Sequence, residues 1–219
     1  MKAQHKIAQH KIAAHLNKKI LLCLIIFVLL THNLFADKFS FKADRMTGGK
    51  ATGKEITVLQ GHAEVHSDNL ILKADRIEMH GKNNNLIECF GSVTGREEQK
   101  GIYFKTDRMT YDRQLKLAKL EGNSTLEDKK NEVVARGRFI EYDEKSEVTI
   151  LQISVRLFKN NMVCRSEYAV YRREDKLLDL SGFPVVYKKN DEFKADNIQV
   201  DLETDDVLME GAVSGSIQE

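Results

Sequence analysis

The chain has 219 residues, of which 42% are hydrophobic and 31% charged, a composition typical of a folded domain and not of a disordered segment. The first 36 residues carry five lysines and no acid, so of the 34 basic side chains 29 remain in the rest of the chain, against 33 acidic ones. A mature domain with this acidic excess lacks the basic surface of nucleic-acid-binding proteins, and we expect no nucleic-acid partner.

Residues 1–36 have the features of a secretory signal peptide that forms a short signal helix. An apolar run extends from Ile20 to Leu30, which is too short for the roughly 20 residues of a membrane-spanning helix. Lysines precede the run, and a small residue follows it at Ala36. We therefore expect export, cleavage near Ala36 and a single domain over residues 37–219. An uncleaved N-terminal anchor is the alternative.

After the leader, six similar units follow one another. In each unit a basic, a small and an acidic residue form a triplet, and a glycine follows 15 to 17 residues after the acid. The acidic position falls at Asp44, Asp75, Asp107, Arg138, Glu167 and Asp196, and the glycine position at Gly61, Gly91, Gly122, Ile153, Gly182 and Gly211. The fourth unit keeps the spacing although both of its anchors are replaced. Such a period indicates a stack of units that share one core.

Apolar residues recur at fixed positions of each unit and alternate with polar neighbours. A period of two indicates strands with one buried face, so each unit contributes two strands and the six units about 12. The parity of the apolar positions changes at the acid, which predicts a bulge or corner there. We expect the following residues to point inward: Met46, Leu59, Ile77, Cys89, Met109, Leu120, Ile140, Leu151, Leu180, Ile198 and Met209.

The stretches Lys73–Ile77, Phe104–Tyr111 and Leu120–Asn123 carry the clearest copies of the two anchors. Their ordered repetition over residues 39–217 resembles the OstA-like family, to which the lipopolysaccharide-transport protein LptA belongs. The resemblance implies an all-β fold, a single open β-jellyroll with an apolar interior, built here as a solenoid-like stack of six two-strand repeats.

The resemblance also implies a function. Family members form a periplasmic bridge that carries lipopolysaccharide from the inner to the outer membrane. The inward columns would then bind the acyl chains of lipopolysaccharide or another glycolipid, and LptC-like inner-membrane and LptD-like outer-membrane components would be partners. We expect no enzymatic activity, cofactor or metal. An anchored LptC-like component and a structural β-solenoid with a solid core remain alternatives. An enzyme on a parallel β-helix would need a one-off acidic or metal-binding cluster, which the repeat does not show.

The two ends of such a stack have strands whose backbone groups lack partners. These strands fall near residues 39–46 and 207–217, and neither contains the proline that often blocks pairing at an edge. We therefore expect strand addition between copies and head-to-tail homo-oligomers. The residues expected at this contact are Phe39, Phe41, Leu208, Ala212, Val213 and Ser214.

The remaining polar and sulfur-containing residues have structural interpretations. The recurring acid is expected in a solvated turn. The basic column of the triplets (Lys42, Lys73, Lys105, Arg136, Arg165 and Lys194) is expected on a charged outer face, with phosphate binding along a groove as the alternative. Cys89 and Cys164 are expected as buried free thiols, although export would permit a disulfide. His62 and His66 stand about 13 Å apart along a strand, too far for one metal ion.

Overall fold

The computed structural model describes residues 39–51, 54–67 and 69–218, so the expected signal peptide lies outside the described residues. These residues form one antiparallel sheet of 16 strands. The strands are β1 (Phe39–Lys42), β2 (Arg45–Ala51), β3 (Lys54–Ser67), β4 (Leu70–His80), β5 (Leu86–Glu97), β6 (Ile102–Asp112), β7 (Leu117–Asp128), β8 (Val133–Asp143), β9 (Val148–Lys159), β10 (Met162–Arg172), β11 (Leu177–Ser181), β12 (Val185–Lys188), β13 (Asp191–Lys194), β14 (Asn197–Asp201), β15 (Val207–Glu210) and β16 (Ser214–Ser216). A 3₁₀ turn, Lys82–Asn84, lies between β4 and β5. Within the described part of the chain no helix is long and apolar enough to span a membrane.

The 16 strands correspond to the 12 strands that the repeat predicts. β3 to β10 run through the corner without a break, and β4 to β10 each have 11 or 12 residues. Four further strands are interrupted at the corner and appear as the pairs β1 and β2, β11 and β12, β13 and β14, and β15 and β16. The expected all-β fold with one open sheet is therefore confirmed, and the larger strand count comes from the interruptions near the two ends of the stack.

The corner lies where the parity of the apolar residues changes. In β4, Ala74 and Ile77 are both buried although they are three residues apart, because the register with β5 shifts between Lys73 and Arg76. Such a bulge bends a strand and reverses the face on which its side chains lie. The bend divides every long strand into two parts, which we call the Lys73 half and the Ile77 half of the sheet. Both halves direct their apolar residues to one shared core.

The recurring acid packs against the glycine of the neighbouring strand. A Cβ atom on Gly91 or Gly122 would overlap with the carboxylate of Asp75 or Asp107, and both glycines have a positive φ, of 71° and 99°. Asp107 also accepts a hydrogen bond from the backbone N–H of Asn123, at 2.8 Å. The two anchors of the repeat are thus partners across adjacent strands, and the glycine allows the backbone conformation that the bulge requires.

Most of the predicted inward residues are buried. Nine of the eleven have at most 2% of their surface exposed: Leu59, Ile77, Cys89, Met109, Leu120, Ile140, Leu151, Leu180 and Ile198. Met46 is 54% exposed and Met209 is partly buried. Each pairs in register with an inward residue, Leu59 and Ile198 respectively, so both face the core side. The expectation that Met46 is buried is wrong because β2 is an edge strand with a neighbour on one side only.

The two ends of the stack are open edges. Among the described strands, β1 and β2 pair only with β3, β15 only with β14, and β16 only with β13. The sequence predicts an uninterrupted last strand near residues 207–217, and this is wrong. The chain bends at Gly211, where φ is 92°, and leaves Ala212 and Val213 between β15 and β16. Phe41, Leu208 and Val213 are 42%, 57% and 53% exposed, whereas Phe39 is partly buried and Ser214 begins β16.

Candidate functional site

The apolar interior between the two halves is the candidate site. Leu72 and Val65 from the Lys73 half and Ile77 and Met79 from the Ile77 half have 0% of their surface exposed. At zero exposure no water-sized space touches these side chains, so the interior is close-packed as it stands. A ligand enters such an interior only if the two halves move apart.

Two cysteines lie within this interior. Cys89 and Cys164 are buried free thiols, as expected from their places in the apolar columns. Burial raises the pKa of each thiol to about 12, so both remain protonated at neutral pH. A protonated, buried thiol is a poor nucleophile and metal ligand, and the two cysteines act as small apolar residues of the core.

Polar bridges close the interior along the side where the strand ends of the two halves meet. We call this line of bridges the seam. Its members join residues about 45 positions apart in the chain in most cases, because the halves are staggered against each other. The bridges run from Arg113 to the Ser67 hydroxyl (2.9 Å), from Lys100 to Glu147 (3.1 Å), from Arg173 to Asp128 (2.7 Å), from Lys159 to the Leu202 carbonyl, and from Lys188 to the Asp205 carbonyl (2.9 Å).

The pair of Arg173 and Asp128 is the most deeply buried bridge of the seam. The side chain of Asp128 is 0% exposed and that of Arg173 9%. Besides the Arg173 guanidinium, the Asp128 carboxylate accepts hydrogen bonds from the Tyr171 hydroxyl at 2.9 Å and the Asn131 amide at 2.8 Å. Burial alone would lower the pKa of Arg173, but hydrogen bonds to Asp128 and Glu147 outweigh burial and raise it. Arg173 is therefore a permanent cation.

The other charged groups of the seam differ in how well they are neutralised. Burial acts to raise the pKa of Glu147, but the hydrogen bonds from Arg173 and Lys100 prevail and lower it. The carboxyls of Glu97 and Glu144 lie beside these bridges, where Lys100 acts on both, and burial raises the pKa of each. The seam thus contains tightly paired charges, and beside them lie carboxyls whose ionisation is disfavoured by burial.

Sequence reasoning did not find the seam. Its residues lie at strand ends and in turns, where no period of two marks them. A signal does exist in the aspartates that end strands, since Asp128 and Asp143 each accept backbone N–H bonds from the two turn residues that follow at positions +2 and +3. That signal predicts turns, but it does not show which turn of one half meets which turn of the other.

One cluster of potential metal ligands occurs among the described residues. Glu78, His80 and Glu88 lie on the outer face, with His80 Nε2 3.3 Å and 3.2 Å from the two carboxylates. Arg76 and Arg108 already pair with Glu78 and Glu88 at 2.5 and 2.9 Å. The two carboxylates are therefore neutralised by protein groups, and a metal ion would add uncompensated positive charge.

The chain is similar to known proteins of one family. The model of the family described as OstA-like protein matches residues 39–205, about three quarters of the chain. No curated protein matches the chain. A solved structure that resembles it is LptH, the LptA homologous periplasmic component of the conserved lipopolysaccharide transport device from Pseudomonas aeruginosa. The two are 12% identical over 83% of this chain and 96% of that chain, with a TM-score of 0.24. This low score adds nothing to the family match.

Proposed function

The chain belongs to the OstA-like protein family, and from this premise we propose that it is a periplasmic lipid-transport protein without enzymatic activity. Its cargo is lipopolysaccharide or a similar glycolipid, whose acyl chains enter the apolar interior. The observation that supports this most is the continuity of that interior. Inward columns such as Leu120, Ile140 and Leu151 follow one another in register from strand to strand, without a polar interruption.

The energetics of acyl chains favour a line of like subunits. Each buried methylene is worth about 0.8 kcal/mol, so a chain of about 12 carbons gains on the order of 10 kcal/mol over water. Release into water is then very slow, whereas transfer into an identical adjoining interior costs little, because the chain is equally buried before and after. The proposed partners are accordingly LptC-like and LptD-like components at the two membranes, with further copies of this chain between them.

The seam is the proposed point of entry. Opening the corner would expose apolar columns and break long backbone ladders. Opening the seam breaks a few polar bridges, such as those of Lys100 and Lys188, whose groups can bond to water instead. The acyl chains then replace the contacts that the two halves make with each other, so the apolar surface stays covered.

The open edges support head-to-tail assembly. β15 has a free ladder side, and Leu208 and Val213 remain exposed there. Strand addition at such an edge does not close into a ring and generates filaments whose length grows with concentration. We expect sedimentation velocity to show this growth, and its loss in Ala212→Pro or Ser214→Pro. The Ala212 N–H donates to the Asp196 carboxylate at 3.1 Å, and Ser214 pairs with Lys194. Thermal unfolding of each variant therefore establishes that the loss of assembly is not a loss of folding. One monomer boundary for wild type at all concentrations would rule out self-assembly.

Lipid extraction tests the proposed function. The protein is purified from the periplasm, and extracted lipids are identified by mass spectrometry, with a periplasmic protein of similar size as the control. We expect a glycolipid in near-stoichiometric amount with this protein only. The close-packed interior also favours a second candidate, a structural β-solenoid with a solid core, and an extract without lipid would support that role. Recovery of the intact leader in the membrane fraction would indicate an anchored LptC-like component.

A further inference from the structure

The fourth repeat unit departs from the others by concentrating positive charge. It has Arg138 and Ile153 where the other units have an acid and a glycine. Three residues after Ile153 it has Arg156, at a position where the other units have Glu64, Thr94, Thr125, Val185 and Ser214. With Arg136 and Arg165 of the basic column, the irregular unit and its neighbour place four arginines, which we call the arginine cluster (Arg136, Arg138, Arg156 and Arg165), on exposed positions of the sheet.

Strand pairing sets three of these arginines directly side by side. Arg136 on β8 pairs with Arg156 on β9, and Arg156 pairs with Arg165 on β10. Directly opposed like charges destabilise a sheet. Two carboxylates also oppose each other on the outer face, those of Glu78 and Glu88, but Arg76 and Arg108 neutralise them. In the described residues, no carboxylate oxygen lies within 4.0 Å of a guanidinium nitrogen of the arginine cluster. The cluster therefore lacks an internal counter-ion.

The arginine cluster borders a depression with polar walls. A cavity of about 350 Å³ is lined by Arg136, Arg138 and Arg156 together with hydroxyl and amide side chains, those of Asn123, Thr125 and Ser154. Through Thr125 and Arg136 it continues into a second cavity of about 550 Å³, which Lys73, Lys105 and Tyr103 also line, together with one carboxylate, that of Glu127. Both volumes fall in the range of small-molecule sites. Their walls offer cations for anionic groups and hydroxyls for neutral polar groups.

Two of the four arginines, Arg136 and Arg165, stack on aromatic rings. The guanidinium of Arg136 lies 5.2 Å from the ring centre of Phe158, and that of Arg165 lies 5.2 Å from the ring of Tyr187. Stacking of this kind restricts the side chain before any ligand binds. The backbone at Ile153 has a φ of 64°, a conformation that is rare for a β-branched residue. The glycines at this position of the other units also have a positive φ, so the bulge requires this conformation in every unit.

From these observations we propose that the arginine cluster binds the phosphate groups of a phosphorylated saccharide on the outer face of the sheet. Guanidinium groups match phosphate oxygens with paired hydrogen bonds, and the four arginines of the cluster carry about the charge that neutralises two phosphate monoesters. Thr125 and Ser154 are placed to bond sugar hydroxyls. The site is separate from the apolar interior, which lies on the other face, so it does not depend on the proposed lipid cargo.

Calorimetric titration of the periplasmic protein with fructose 1,6-bisphosphate tests the proposal. We expect saturable binding that weakens steeply as salt is raised, and no binding of fructose. Arg156→Gln should weaken binding at least tenfold, and Arg156→Lys by less. Arg172→Gln is the matched control, because Arg172 pairs with Asp179 outside the cluster and its loss should leave binding unchanged. Thermal unfolding of each variant establishes that it is folded.

Absence of saturable binding, or equal binding by the folded Arg156→Gln variant, would overturn the proposal. Vesicles of phosphatidylcholine with 30% phosphatidylglycerol distinguish a membrane surface from a saccharide. Binding to these vesicles that the sugar bisphosphate does not displace would also overturn it, in favour of a membrane contact. Lipid extraction from the same variant is a separate readout, and we expect the lipid content to stay unchanged, because the interior is intact.

Discussion

Replacing Arg173 by Met removes the cation from the most deeply buried bridge of the seam. The Asp128 carboxylate then stays fully buried without its charged partner. Breaking a buried ion pair in this way typically costs about 3–5 kcal/mol. Asp128 keeps the Tyr171 hydroxyl and the Asn131 amide as donors, which reduces the loss. We therefore expect Arg173→Met to lower the free energy of unfolding by about 3 kcal/mol.

Urea unfolding of three variants measures this loss. Adding Asp128→Asn to Arg173→Met removes the buried charge, so the double variant should regain about half of the lost stability. Arg172→Met breaks a pair that is 40% and 32% exposed, and should cost less than about 1 kcal/mol. A loss below about 1 kcal/mol for Arg173→Met, or a double variant less stable than the single one, would refute a buried, charge-paired seam.

Three further changes test the core, the corner and one ion-paired carboxylate. Leu120→Asp buries an unpaired charge and should lower the thermal midpoint by about 10 °C or more, whereas Leu115→Asp, at a position that is 58% exposed, should leave it unchanged. Gly122→Ala places a Cβ against a carboxylate at a φ of 99° and should cost about 1–3 kcal/mol in urea unfolding, while Gly49→Ala, with no neighbour within 4 Å, should cost little. Hydrogen bonds from a histidine and two lysines lower the pKa of Glu64 to about 2. The ionised Glu64 carboxylate therefore stabilises the fold fully above the unfolded pKa of about 4.3, and this stabilisation is lost as pH falls toward 2. Glu64→Gln should lower the free energy of unfolding by about 1–2 kcal/mol at pH 7. A pH series of unfolding curves should show this difference vanish near pH 2. Equal midpoints for the two leucine variants, equal stability of the two glycine variants, or a pH-independent Glu64→Gln cost would contradict the respective argument.

Much of the fold could be predicted because apolar and polar residues alternate along a strand with one buried face. The alternation around Leu72 and Ile77 identifies the buried face, and the change of parity between them locates the corner. The exposure of residues on edge strands does not follow from this alternation. Met46 obeys the same pattern as Ile77, yet it is exposed, because burial also requires a neighbouring strand on each side.

The sites outside the core depend on which strands become neighbours. Arg156 looks like an isolated surface residue until the register places it between Arg136 and Arg165. Asp128 and Arg173 are 45 residues apart and meet only because the two halves are staggered. A local pattern does not contain this stagger, so both the arginine cluster and the seam emerge only from the folded chain.

Site-specific photocrosslinking tests the central claim, that acyl chains occupy the interior. A photoreactive phenylalanine analogue replaces Phe104, which lies on the inner face and is 5% exposed. The matched control carries it at Phe139, which alternates with the buried Ile140 and lies on the outer face. After illumination in cells, we expect a lipid adduct at position 104 and none at position 139, with both variants folded. Adducts at position 139 alone, or no lipid at position 104, would contradict a lipid-filled interior.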